Sequence, residues 1–177
     1  AANEFPQWVA ATFSTDDEVA AAQRDTVIVA KSAGEGRGGS LLHWIIGDSQ
    51  RSIVVEMMAD GLHVYDDPVD TLANQPTFPW HMENLRTYIT ATSDFPQTAT
   101  WRGAELKPYG AGAGMRGIPG DCYSPSRFVK AAYLNANYPQ KESETENVVR
   151  MFRSLEGVVM IEGASRMGEG KIGRAHV

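Results

Sequence analysis

The sequence has little cysteine and no long hydrophobic run, and these absences exclude several classes of protein. Its 177 residues include one cysteine, so the chain has neither an internal disulfide framework nor a paired-cysteine metal or redox site. The four histidines never occur as HxxxH or HExxH, and we expect no metal site. The longest apolar stretches, such as GVVMI at 157–161, are far too short to cross a bilayer, so we expect no membrane insertion.

Positive charge is also scarce. The chain carries 16 lysines and arginines against 22 aspartates and glutamates, which gives a net charge of −6 and a pI near 5.2. Because the sequence has no basic stripe with interleaved aromatic residues, we exclude nucleic acid as the main partner. The content of 42% hydrophobic and 21% charged residues is ordinary for a globular protein, and 177 residues suffice for one domain with a core.

Both ends of the sequence are unusual. The chain begins with AANEFPQW, which resembles neither a methionine start nor a signal peptide. It ends with KIGRAHV, which has no periodicity and whose last six residues read as a sequencing adapter translated in frame. We therefore expect residues 172–177 to be a non-native tail and the chain to be a fragment cut at both ends.

Strands are predicted in the first half of the chain. Four stretches rich in Ile, Val and Leu are joined by short turns, a pattern that indicates an antiparallel sheet. The predicted strands are 41–48, 52–58, 61–67 and 69–73. A helix is predicted before them over about 16–24, because Thr15 and Glu18 have the spacing of a capping box. A glycine-rich loop at 30–40 separates this helix from the strands.

The hydrophobic period changes after the strands. Apolar residues three to four positions apart predict a helix over about 79–90, and the residues concerned are Phe78, Met82, Leu85 and Ile89. The region 91–120 contains Gly and Pro throughout and is predicted to be a loop.

Two more helices are predicted from their capping signals. Ser124 has the position of an N-cap followed by Pro125, and Ser143 has capping-box spacing to Glu146. Gly157 is predicted to end the second of these helices, and a strand is predicted over 158–161. The predicted apolar faces consist of Phe128, Val129, Ala132 and Tyr133, and of Val148, Val149, Phe152 and Leu155. The order of strands, helices and a final strand favours an α+β domain over a regular βαβ repeat.

The most obvious candidates for chemistry are weak. Cys122 lies just before a predicted helix, but the negative charge of Asp121 beside it disfavours a thiolate and no histidine is near in sequence, so we interpret it as a small loop residue. Two stretches fit GxGxxG, beginning at Gly34 and Gly112. Neither follows a strand and opens a helix, as a dinucleotide site requires, and we expect no nucleotide cofactor.

Asn74 and Arg127 are more informative. Arg127 falls in the first turn of its predicted helix, where a cation opposes the helix dipole by roughly 0.3–1 kcal/mol. It is either a tolerated surface residue or an arginine held against a carboxylate, a thiolate or a substrate anion. Asn74 lies where the last short strand meets a turn with Pro76. It either stabilises that turn or donates hydrogen bonds to a developing oxyanion or an amine.

Several stretches together resemble the choloylglycine hydrolase family, whose members include bile salt hydrolases and penicillin V acylases. The resemblance is carried by LLHWIIGDSQRSIVVE, LANQPTFPWHMENLRTYI and GIPGDCYSPSRFVKAAY, with EFPQWVAATFSTDDEV and VVMIEGASRMGEGK in the expected order. It covers about residues 4–171. The resemblance implies an α+β fold, namely part of the four-layer αββα fold of N-terminal-nucleophile (Ntn) hydrolases, over residues 1–171.

The family chemistry implied by this resemblance uses no metal and no organic cofactor. An N-terminal cysteine attacks the amide that joins a bile acid to glycine or taurine, its own α-amino group acts as the base, and water releases the acyl group. Asn74 matches the asparagine of the family's TN-x-P motif, and Arg127 matches the arginine of its SRF motif. The resemblance therefore implies that both are catalytic-site residues, with Asn74 binding the amine or the tetrahedral intermediate and Arg127 lowering the pKa of the thiol.

The sequence departs from the family pattern in two places. Ala73 replaces the usual threonine before the asparagine. Residue 1 is Ala, and the family's N-terminal region, with its nucleophilic Cys, an Arg-and-Asp pair and a second Asn, is absent. Cys122 occupies a position that varies in the family, so it does not replace that nucleophile. We expect the intact protein to be an amide hydrolase and this 177-residue piece to be inactive.

The resemblance also leaves alternatives open. The intact protein could prefer penicillin V or acyl-homoserine lactones over a conjugated bile acid, and a non-catalytic binding module that retains the fold is the alternative from another class. For the intact protein the resemblance implies a small-molecule substrate, a homotetramer and a cytoplasmic location in a bacterium.

Overall fold

The computed structural model of the chain describes residues 4–22, 25–28 and 42–165. The structure divides into two units, residues 1–80 and 81–177, and each is described by itself. The predicted glycine-rich loop at 30–40 and the predicted tail at 172–177 lie outside the described residues. The assignment of residues 1–171 to one partial domain stays a prediction.

The first unit combines two helices with an antiparallel sheet. The helices are α1, Phe5–Thr12, and α2, Asp16–Ala22. The strands are β1, His43–Gly47, β2, Ser52–Met58, and β3, Gly61–Asp66, in the spatial order β1-β2-β3. Val55 of β2 is opposite Trp44 on one side and Val64 on the other, which fixes the register of the sheet.

One face of this sheet forms the core with α1 and α2. The strand period of two directs Ile53 and Val55 to the same face, where they cluster with Phe5, Val9 and Val19. The ring of Phe5 also packs 4.5 Å from the ring of Trp44. These contacts form the hydrophobic core that stabilises the first unit, because burial of each aliphatic side chain contributes roughly 1.5–3 kcal/mol to the free energy of folding.

Two predictions for the first unit are confirmed and one is wrong. The first three predicted strands are present, and Thr15 Oγ1 accepts the N–H of Glu18 at 3.3 Å at the start of α2, as a capping box requires. The predicted strand at 69–73 is absent, because the segment turns instead. The Asp67 carboxylate accepts the N–H groups of Val69 and Thr71, and this local bonding competes with a sheet ladder. Helix α1 was not predicted.

The second half of the chain contains three helices and a hairpin in its described part. Helix α3, Phe78–Leu85, begins in the first unit and ends in the second, where a short 3₁₀ helix follows it. Strands β4, Ala99–Trp101, and β5, Ala104–Leu106, pair antiparallel. Helices α4, Ser124–Asn137, and α5, Glu144–Glu156, complete the described part.

The end of α3 and the region after it differ from the prediction. The α-helix stops at Leu85, and the 3₁₀ turn at Arg86–Tyr88 has three residues per turn, so the apolar period is not continued. Ile89 is consequently 81% exposed and does not extend the apolar face. The predicted loop at 91–120 contains the β4–β5 hairpin, whose tight turn places Gly103 at a φ of +88°.

Helix α4 has the predicted buried face but a different N-terminus. Phe128, Val129 and Ala132 are buried, as the spacing predicted. The N-cap residue is Tyr123, so Ser124 is the first helical residue and its predicted capping role is wrong. Asp121 provides the local side-chain bonds instead, because its carboxylate accepts from the backbone N–H of Tyr123 and the hydroxyl of Ser126.

Helix α5 has the predicted cap but an open apolar face. Ser143 Oγ accepts the N–H of Glu146 at 3.3 Å and donates to its carboxylate at 2.7 Å. The predicted face is between 43% and 56% exposed, and it consists of Val148, Val149, Phe152 and Leu155. The helix ends at Gly157 as predicted. The predicted strand at 158–161 is absent, because Val158 donates back to Leu155 in a turn and 159–161 are irregular.

No helix in the part of the chain that the structure describes is both long and apolar enough to cross a membrane.

The cap of α5 can be tested by substitution. Ser143→Ala removes the acceptor for the Glu146 N–H and should lower the free energy of unfolding by about 1 kcal/mol, whereas Ser143→Asp keeps an acceptor and should remain close to wild type. Urea unfolding followed by circular dichroism measures both. Equal midpoints for the alanine and aspartate variants would contradict the assigned cap.

Candidate active site

Asn74 lies on an irregular segment, residues 67–77, that connects β3 to α3. Its side chain is exposed, although the preceding Ala73 and the following Phe78 are buried. Ala73 therefore contributes an apolar side chain to the interior. The segment thus presents two polar residues outward, Asn74 and Gln75, between the buried Ala73 and Phe78.

The first end of this segment is fixed by Asp67. One carboxylate oxygen accepts the N–H of Val69 at 3.0 Å and the other accepts the N–H of Thr71 at 2.8 Å. Burial raises the pKa of Asp67, although the two backbone N–H groups act in the opposite direction. The loop therefore keeps a buried carboxyl group whose hydrogen bonds replace those of a strand.

The second end is fixed by Glu56 of β2. Both of its carboxylate oxygens lie 3.0 Å from the backbone N of Phe78, and Oε1 lies 3.1 Å from Nδ1 of His43. Because a carboxylate only accepts, the His43 ring donates from Nδ1. Tyr65, on the same face of the sheet, has its pKa raised mainly by burial and further by the negative charge of Glu56.

Arg127 lies in the first turn of α4. Its backbone N–H donates to the carbonyl of Tyr123, and its side-chain Nε donates to the carbonyl of Cys122 at 3.1 Å. The side chain is half-buried. Hydrogen bonds from Tyr123 and Ser126 lower the pKa of Asp121, so a carboxylate stays ionised at the start of this helix, where the dipole favours an anion.

A buried aromatic stack supports the residue next to Arg127. The rings of His81 and Phe128 lie 4.5 Å apart at an interplanar angle of 11°, and both side chains are fully buried. Phe128 follows Arg127 directly in α4, so the stack restricts the first turn that carries the guanidinium. The helical spacing predicts Phe128 on the buried face, whereas nothing in the local sequence indicates His81 as its partner.

The two predicted site residues belong to different units, Asn74 to the first and Arg127 to the second. That they flank a common cavity therefore stays a prediction. Each is a hydrogen-bond donor held by a braced backbone, a type of group that can stabilise a developing oxyanion but cannot attack a carbonyl.

Other candidates in the sequence find less support. Cys122 is half-buried in the loop before α4, and it is the free cysteine of the chain. The GxGxxG stretch from Gly112 lies in turns, and the stretch from Gly34 falls outside the described residues. Within the described ranges, no three His, Cys, Asp or Glu side chains gather as they would around a metal ion.

Sequence comparison identifies the family. The family model described as linear amide C–N hydrolases, choloylglycine hydrolase family, matches residues 1–175. The chain belongs to this family. Among curated choloylglycine hydrolase relatives, the bile salt hydrolase/transferase of Bifidobacterium longum subsp. longum is 52% identical over 171 residues, 97% of this chain and 54% of the relative. The conjugated bile acid hydrolase of Lactobacillus acidophilus is 38% identical over 172 residues, with 97% and 54% covered.

Solved structures agree with this family assignment. A cysteine-to-alanine mutant of the conjugated bile acid hydrolase from Clostridium perfringens superposes with a TM-score of 0.82 at 33% identity, covering 96% of this chain and 52% of that one. Penicillin V acylase from Agrobacterium tumefaciens gives a TM-score of 0.71 at 17% identity, with 97% and 46% covered, and it supports the fold alone. The predicted α+β, partial Ntn-hydrolase fold is confirmed.

The chain spans about half the length of the curated relatives it matches. The described part contains the braced Asn74 segment and the braced first turn of α4. Sequence reasoning missed the roles of Glu56 and His43, although a charged residue inside the apolar stretch SIVVEMM was a usable signal.

The raised pKa of Asp67 predicts a specific pH dependence. An aspartate in an unfolded chain has a pKa of about 3.9, and the pKa of Asp67 in the folded protein is higher. The folded state therefore binds this proton more tightly than the unfolded state does. As pH rises from about 3.9 through the raised pKa, wild type should lose stability relative to Asp67→Asn, and the difference should level off above it. Urea unfolding of both proteins between pH 3 and 8 measures this, and a pH-independent difference would contradict it.

Proposed function

We propose that the complete protein containing this chain is a bile salt hydrolase that cleaves the amide bond of glycine- or taurine-conjugated bile acids. One observation carries the proposal: a relative named bile salt hydrolase/transferase is 52% identical along 97% of the chain. The conjugated bile acid hydrolases of two further organisms agree with it. At such identity, the substrate class is more strongly supported than by fold similarity alone.

The proposed reaction uses an N-terminal cysteine located on sequence outside this chain. Its thiolate attacks the amide carbonyl, and the tetrahedral intermediate collapses as the C–N bond breaks and the amine leaves with a proton from the cysteine's α-ammonium group. A thioester remains. Water, deprotonated by the same amine, attacks the thioester to release the bile acid and restore the thiol. An amine in place of water would give acyl transfer instead of hydrolysis.

Asn74 is proposed to bind the oxyanion or the α-amino group. Its exposed side chain on a segment anchored at both ends has the properties of a preorganised donor, since the anchors restrict the backbone and leave the amide accessible. Donors of this kind contribute about 10²–10³ to turnover in acyl transfer.

Arg127 is proposed to supply positive charge near the sulfur. The hydrogen bond from its Nε to the Cys122 carbonyl orients the guanidinium, and a cation within about 4–6 Å of a thiolate lowers the pKa of the thiol. This role explains why a cation is retained in the first turn of α4 against the helix dipole.

The other substrates considered have weaker support. The similarity to penicillin V acylase is confined to the fold, and no described feature favours penicillin V or an acyl-homoserine lactone. A non-catalytic binding module is distinguished from the enzyme by the segment preceding this chain, because only the enzyme needs a cysteine there. For the complete protein we propose a small-molecule substrate, a homotetramer and a cytoplasmic location, and for this chain alone no activity.

The assignment of Asn74 and Arg127 is tested in the complete protein by release of glycine from glycocholate, detected with ninhydrin. Asn74→Ala and Arg127→Ala should each lower kcat/KM at least tenfold, because each removes an interaction that the transition state uses. Circular dichroism should show an unchanged fold. The 177-residue chain by itself should release no glycine.

Matched controls separate these effects from general damage. Asn137→Ala and Arg86→Ala replace the same residue types at exposed helical positions and should keep wild-type rates. Wild-type rates for the Asn74 and Arg127 variants would reject the site assignment. Absence of glycine release from the complete wild-type protein would reject the bile salt assignment.

A further inference from the structure

Glu56 is a charged residue in an otherwise apolar strand. It is 3% exposed, and its neighbours Val54 and Val55 in β2 are fully buried. Burying a carboxylate costs free energy unless hydrogen bonds compensate for the lost hydration, so the hydrogen-bond partners of Glu56 indicate its role. Those partners are the backbone N–H of Phe78, at 3.0 Å from both oxygens, and Nδ1 of His43 at 3.1 Å.

The Phe78 contact reaches across 22 residues of chain, so it is a long-range tie and not a local turn. The residues just before Phe78 line a cavity together with Glu56 and His43. This cavity has a volume of about 220 Å³, and the residues before Phe78 that line it are Gln75, Pro76 and Thr77. Asn74 immediately precedes this wall. The sheet carboxylate therefore fixes the far end of the segment that presents the asparagine.

The near end of the segment is fixed independently. Asp67 accepts hydrogen bonds from the N–H groups of Val69 and Thr71, and Thr71 lies three residues before Asn74. With the N–H of Thr71 held on one side and the N–H of Phe78 on the other, the stretch between these two anchors, 72–77, is six residues long. Loss of either anchor lengthens the stretch between fixed backbone points and increases the number of positions that the Asn74 amide can occupy.

We propose that Glu56 is a positioning residue for Asn74. Its carboxylate accepts the Phe78 N–H, and His43 of β1 orients that carboxylate. The segment from Asp67 to Phe78, which carries Asn74, is thereby held in one position for catalysis. This inference rests on the proposed function of Asn74 in amide hydrolysis. Glu56 acts through the backbone that carries the asparagine and not by contact with the substrate.

The kinetic test uses the complete protein with glycocholate. Glu56→Leu should lower kcat at least tenfold with KM within about twofold of wild type, because the misplaced amide weakens transition-state binding more than ground-state binding. Glu56→Gln keeps one acceptor oxygen for the Phe78 N–H. The decrease in log kcat for this variant should therefore be smaller than the decrease for Glu56→Leu by at least a third. A leucine variant with unchanged kcat would overturn the proposal.

A matched control is available in the same sheet. Asp60 and His63 form a second carboxylate–imidazole pair, at 2.8 Å, but this pair is exposed and both residues belong to the β2–β3 hairpin. Asp60→Asn should leave kcat unchanged. An equal loss in this variant would show that any disturbance of the sheet lowers activity, and would overturn the specific role of Glu56.

A double variant shows whether Glu56 acts through Asn74. If it does, adding Glu56→Leu to Asn74→Ala should change kcat less than twofold, because the residue being positioned is already gone. If the double variant lost kcat by the product of the two single-variant factors, Glu56 would not act through Asn74. That result would overturn the inference and leave the proposed function intact. Unchanged turnover in Asn74→Ala alone would instead reject the site assignment.

Hydrogen exchange provides a readout that does not need activity. In Glu56→Leu, a peptide covering residues 72–80 should exchange at least tenfold faster than in wild type, with no change in a peptide covering the β4–β5 hairpin. Equal exchange in residues 72–80 would overturn the proposal. If wild type showed no hydrolysis, the function would fail, and this measurement alone would decide whether Glu56 orders the segment.

Discussion

The hydrogen bond between the Glu56 carboxylate and the Phe78 N–H links the sheet to the start of α3. An unsatisfied buried group at either end would cost about 1–3 kcal/mol, so the loss of either partner destabilises this contact. The first face of the sheet is occupied by α1 and α2, and this contact organises the second face. The segment with Asn74 therefore has a defined path although it contains no helix or strand.

The chemistry proposed for the protein divides between this chain and the sequence outside it. An amide hydrolase of this family needs a nucleophile, a base and donors for the oxyanion. The described residues offer donors, namely the amide of Asn74 and the guanidinium of Arg127, each on a backbone restrained by side-chain hydrogen bonds. Carboxyl groups restrain both sites, Glu56 and Asp67 around the asparagine and Asp121 at the start of α4.

Features decided by local sequence could be predicted, and features decided by distant contacts could not. Strands 43–47 and 52–58 and the Ser143 cap follow from period and spacing. The strand expected at 69–73 fails because Asp67 captures its N–H groups, which residue propensities do not register. For the site, motif resemblance indicated Asn74 and Arg127, whereas the support from Glu56 depends on residues far apart in sequence.

We propose that Asn74 and Arg127 belong to one thiol-dependent amidase pocket in the complete protein. A crystal structure of the complete protein with a bound bile acid is the decisive measurement. We expect the amide of Asn74 and the guanidinium of Arg127 to line one cavity with the N-terminal cysteine sulfur and the carboxyl group of the ligand. A structure with the two side chains on separate surfaces, or with the ligand bound away from both, would contradict it.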